Sequence, residues 1–161
     1  MNPEQFRRTV ELAVVYHDEA ERCADVGAYH AACLMIAAAA EAALLATATL
    51  HRDELVAQGS WPFQGDVPRP PERLGLAELC KLARDAGWLP ALGEGELRDP
   101  SDSEVGDPVE FVRWLRNVAA HPGRLVREDP RLKMDEPAYR NAYGVVRAVF
   151  DHTHTVIQAL D

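Results

Sequence analysis

The chain has 161 residues, 47% of them hydrophobic and 27% charged, which fits one globular domain able to bury a core without disulfides or metals. Seventeen basic residues against 26 acidic ones give a net charge of −9, which argues against broad electrostatic binding of DNA or RNA. Any RNA contact is then confined to a small basic patch, and the acidic surface alternatively suits a basic protein partner.

The start of the chain, Met1 to Gln5, is polar and unlike a signal peptide. Asn2, Pro3 and Gln5 form a helix-start signature, with a cap, a proline at the first turn and the third position of a capping box. Phe6, Val10, Ala13, Val14, Ala20 and Ala24 recur at helical spacing, and Gly27 ends the helix. A second helix is expected from about Ala28 to about His51, giving an antiparallel hairpin. Its stretch from Ala31 to Ala48 is the most apolar in the chain, but Glu41 interrupts it. It is expected to be a buried helix, with no membrane involved. Glu41 itself either pairs with an arginine or is solvated on the outer face. His30 is a surface or capping residue, and His17 and His51 carry no context.

Residues 60–71 are rich in proline and glycine and are expected to be loop. Within them Trp61, Pro62 and Phe63 either stack on bases or tuck into the bundle or a dimer contact. A shorter helix is expected from Leu74 to Gly87, with Leu76, Leu79, Cys80 and Leu82 facing inward. Residues 90–106 again look like loop. The whole stretch from about 52 to 107 is an excursion within a single domain, 1–161. Cys23, Cys33 and Cys80 have no paired spacing, which excludes a disulfide framework and a zinc site. They fit a reducing compartment, and a cytoplasmic location is expected.

Asp107, Pro108 and Glu110 make the clearest helix start in the chain. Phe111, Trp114, Leu115, Val118 and Ala119 then form one apolar stripe, and Pro122 with Gly123 stops the helix after His121. Arg113, Asn117 and His121 follow one i, i+4 line, and Arg116 lies beside it. His121 titrates near neutrality and is the candidate general acid or base. Arg116 can hold a phosphate bidentately, Asn117 can orient the imidazole or the phosphate, and Arg113 extends the basic face. Arg124 and Arg127 either widen that patch or are solvated. Arg116 and His121 are roughly 7.5 Å apart along the helix axis. Two copies of the helix across a two-fold axis would bring them together.

The final helix is expected from about Pro137 to the end, with Tyr143, Val146, Val149, Phe150, Val156, Ile157 and Leu160 as its core face. His152 and His154 are two apart and face different directions, so they form no metal pair. With no repeats and no strand-like alternation, the fold expected is an all-α bundle of four to five helices.

The run Trp114-Leu115-Arg116-Asn117-Val118-Ala119-Ala120-His121-Pro122 resembles the R-N-x-x-x-H signature of the HEPN superfamily, and the order of helices is similar to that family's. The resemblance implies a metal-independent endoribonuclease without a cofactor, toxin-like or acting in phage defence. It implies a homodimer whose composite site uses Arg116, Asn117 and His121, with Arg113 and Glu41 in support and a possible cognate antitoxin protein. Some members are instead silent protein- or nucleotide-binding modules. The tyrosine that some family members carry two residues past the motif histidine is here Gly123, which puts control by modification of that tyrosine in doubt.

Overall fold

The apolar periodicity of the first fifty residues folds into two antiparallel helices, α1 (Pro3–Asp25) and α2 (Tyr29–Leu50). The structure, a computed structural model, describes residues 3–88, 116 and 134–158. Gly27 sets the turn between the two helices with φ of +74°, a conformation that costs any residue with a Cβ. Its N–H donates to the Ala24 carbonyl at 2.9 Å, and the N–H of Ala28 donates to Cys23 at 2.8 Å. The last carbonyls of α1 are thereby satisfied. The cap expected at Asn2 lies outside the described residues.

Helix α2 is apolar on most of its circumference, and such a helix belongs in the centre of a bundle. Helix α1 covers one side of it and α5 (Glu136–Gln158) another, while α4 (Leu76–Asp85) packs on its C-terminal half. By length and composition α2 is apolar enough to cross a membrane, but 67% of that stretch is buried against its neighbours. Its small side chains, Ala32, Ala37, Ala39 and Ala40 among them, let those neighbours approach closely. The expected all-α bundle is thus what the chain forms, with five α-helices among the described residues.

Three local features differ from expectation. The chain does not leave the bundle at residue 51. His51 takes φ −90° and ψ 7°, bends the backbone, and α3 (Arg52–Ala57) follows directly. Residues 60–71 are not wholly loop. They hold a two-stranded antiparallel hairpin, β1 (Phe63–Gln64) and β2 (Val67–Pro68), and the start of a 3₁₀ turn at Pro71–Arg73. Strands of two residues are too short to show alternation. The shorter helix begins at Leu76 rather than Leu74, which is still extended. The Glu78 carboxylate accepts from the Gly75 N–H at 3.0 Å and fixes that start.

Residues 52–88 also contribute much of the core. Trp61 is 2% exposed, and Leu55, Leu74 and Trp88 are buried with it. All four inward residues expected on α4 are buried. The Trp61 indole N–H donates to the Arg69 carbonyl at 2.9 Å, and the Arg69 guanidinium pairs with Glu78. The hairpin is therefore tied to the helix that follows it. Two core clusters result. One surrounds the N-terminal half of α2 with Ile36, Tyr139, Ala142 and Val146. The other surrounds its C-terminal half with Leu44, Trp61, Leu79, Trp88 and Val149. On α5, Val146 and Val149 are buried as expected, while Tyr143 and Phe150 are only half-buried. Leu160, and the side chains of Val156 and Ile157, lie outside the described residues.

Candidate functional site

Of the motif residues, Arg116 is described, and it is helical. Its Nε lies 3.4 Å from Oε2 of Glu41, with the arginine side chain 42% exposed and the glutamate 30%. Glu41 sits midway along α2 among buried alanines, so its backbone is held by the most enclosed helix among the described residues. Of the two placements open to Glu41, pairing with an arginine is therefore the one found. An ion pair this exposed contributes about 1 kcal/mol or less to stability. The carboxylate lies on one edge of the guanidinium, where it can orient the group and offset part of its charge. Arg113, Asn117 and His121 lie outside the described residues, as do the helix start at Asp107, the apolar stripe from Phe111 to Ala119 and the stop at Pro122.

A second group of functional side chains escapes sequence reasoning. The rings of His51, Trp88 and His152 stack on one another where α2 ends, with centroids 5.2 Å apart for His51 and Trp88, 6.0 Å for the two histidines and 6.1 Å for Trp88 and His152. Nε2 of each histidine is buried without a hydrogen-bond partner. Nδ1 of His51 lies 3.3 Å from a Glu54 carboxylate oxygen. Burial, and then the neighbouring His51, push the His152 pKa down. Just below the stack, the hydroxyls of Thr47 and Thr153 join α2 to α5 at 2.5 Å. No local pattern links residues 51, 88 and 152.

A third group lies between α1 and α5. His17, Asp18 and Glu21 bring ligand atoms within 4.8 Å of one another, and among the described residues this is the set that could hold a metal ion. Asp18 and Glu21 are exposed, as solvated carboxylates ordinarily are. The Tyr143 hydroxyl donates to Glu21 at 2.9 Å, and the His17 ring packs against Tyr143 and Phe150. Spacing hints at this group, since His17, Glu21 and Asp25 are one turn apart on α1 and Tyr139 and Tyr143 one turn apart on α5. Cys33 and Cys80 are buried and Cys23 is half-buried, as expected of small core residues. Burial pushes the Cys33 thiol up to about 12, so it is no nucleophile near neutral pH.

Compared with known proteins, the chain matches no family model, no curated protein and no solved structure.

Proposed function

We propose that the chain is a metal-independent, cytoplasmic endoribonuclease of HEPN type, toxin-like or acting in phage defence, that works as a homodimer. In this reading Arg116 binds the scissile phosphate, and His121 takes the proton from the RNA 2′-hydroxyl or returns one to the leaving 5′-oxygen. Asn117 orients the reacting groups, and Arg113 extends the basic face. Attack of the 2′-oxygen on phosphorus breaks the bond to the 5′-oxygen. The products are a 2′,3′-cyclic phosphate and a 5′-hydroxyl, with no metal or cofactor needed for the balance. Opposed copies of Arg116 and His121 across a two-fold axis supply the charge and the proton transfer together.

The observation that supports this reading is the Glu41–Arg116 ion pair. The most apolar helix of the chain spends its one acidic residue on the first residue of the R-N-x-x-x-H motif. A phosphate-binding arginine needs such fixing, because a misplaced guanidinium loses much of its effect.

A second reading is a catalytically silent binding module. The net charge of −9 favours it, since it weakens attraction for RNA. One experiment decides between the two. The purified protein is incubated with assorted RNAs in excess chelator, beside His121→Ala and Arg116→Ala variants, and the product ends are mapped. Cleavage by the wild type alone, leaving cyclic phosphate and 5′-hydroxyl ends, is expected. No cleavage of any RNA, together with no growth defect on expression, selects the silent module.

A further inference from the structure

We propose that the face between α1 and α5 is a docking groove for a basic, partly apolar peptide segment of a partner protein. It seats a lysine or arginine side chain between Tyr143 of α5 and Glu21 and Asp25 of α1. Two cavities lie along this face and share Tyr143. The first, of about 390 Å³, is lined by Glu21, Ala24, Asp25, Tyr139, Arg140 and Tyr143. The second, of about 410 Å³, is lined by Val14, His17, Tyr143, Arg147 and Phe150. His17 precedes Glu21 by one turn of α1, so the cavities follow each other along the helix about 5.4 Å apart in register.

The first cavity is built for a cation. Tyr143 offers a half-buried ring, backed by the buried Tyr139 with centroids 5.9 Å apart, and a cation on such a ring is attracted by its quadrupole. Glu21 is held in place by the Tyr143 hydroxyl, and Asp25 follows one turn later. The field there is negative. Burial, and after it Glu21, push the Tyr139 phenol up to about 12, and the hydrogen bond to Glu21 raises Tyr143. Arg140 also lines the cavity, but its guanidinium is already paired with Glu136. The second cavity has the opposite character. Val14, Phe150 and the edge-packed ring of His17 make it apolar, and Arg147 repels a cation there. A peptide with one basic side chain beside one apolar side chain therefore fits in a single register. The net charge of −9 steers such a partner toward the protein from a distance. The proposal is independent of catalysis at His121.

The test uses the full chain and a displayed library of random twelve-residue peptides, panned in excess chelator. Chelator keeps divalent ions away from His17, Asp18 and Glu21, a set that could hold one. Enrichment of Lys or Arg next to Leu, Ile or Phe is expected. A peptide made from the enriched pattern should bind roughly tenfold more weakly to the Glu21→Gln/Asp25→Asn variant, with an unchanged circular dichroism spectrum. Replacing its basic residue with Gln should cause a similar loss, and Val14→Ser a smaller one. The proposal is overturned if no basic–apolar pattern emerges, or if the double variant binds as the wild type does. It is also overturned if spermidine displaces the peptide as well as the unlabelled peptide itself does, because the site would then take free polycations.

Discussion

The two halves of α2 meet their neighbours in opposite ways. The N-terminal half presents alanines, Cys33 and Ile36, and gains stability through close backbone approach of α1 and α5. The C-terminal half presents Leu44 and Ala48 to a surround of Trp61, Leu79, Leu82 and Trp88, and gains it through large apolar area. Helices α1 and α5 pack on α2 more than on each other, and long side chains such as Tyr143 and Glu21 bridge the space between them. That is why an open groove lies between these two helices, while residues 52–88 pack against the C-terminal half of α2.

Truncation at the large-residue end gives the largest expected effect. Trp61→Ala removes a nearly fully buried indole and its hydrogen bond to Arg69, and should cost about 3–5 kcal/mol in chemical denaturation. The alanine end is tested by enlargement. Ala37 is fully buried, and Ala37→Leu should cost about 1–3 kcal/mol by forcing the helices apart. If the leucine is accommodated without loss, the N-terminal half is not close-packed and the contrast fails.

That contrast was half legible in the sequence. Gly27 and the helical spacing of apolar residues located α1, α2, α4 and α5 to within a few residues, because helix stops and 3.6-residue periodicity are local signals. The inward face of α4 followed from the same rule. Helix α3 did not, because His51 is neither glycine nor proline and nothing marks the bend. The hairpin at 63–68 carries a turn signal in Gly65-Asp66 but no strand signal at two residues per strand. The packing of 52–88 on α2 depends on single residues such as Leu55 and Trp61, spaced by no regular period. In the candidate site, the acid in the apolar helix was readable as anomalous, and its partner came from the structure. The stack of His51, Trp88 and His152 joins three distant segments, and no window of sequence contains it.

A smaller effect is expected from that stack, and it is confined to the large-residue end. His152 titrates below its ordinary range because burial and His51 disfavour its charged form. The unfolded chain therefore binds a proton more readily than the folded one. Stability from this group is complete above the ordinary imidazole pKa of about 6.5 and declines as pH falls from there through the folded value. Nε2 of His152 has no hydrogen-bond partner that would offset protonation. Melting temperature should drop on acidification below pH 6.5, and His152→Phe should flatten that dependence. Fluorescence of Trp88 should be quenched over the same interval in the wild type alone. An unchanged pH profile in the variant would place the acid sensitivity elsewhere.

The smallest effect on stability belongs to Glu41, where the alanine half meets the motif. Glu41→Gln keeps the volume and removes the charge, and the pair it breaks is too exposed to cost more than about 1 kcal/mol. Its effect on RNA cleavage separates two roles. If the carboxylate orients the Arg116 guanidinium, kcat should fall roughly tenfold while KM changes little, because orientation matters most where charge develops on the phosphate. If it only offsets the arginine's charge, the variant should bind RNA more tightly, with a lower KM and an unchanged kcat. We expect the first outcome. A neutral amide can accept one hydrogen bond from Nε but cannot hold a delocalised cation as a carboxylate does, and the rigid alanine helix beneath residue 41 gives that hold its precision.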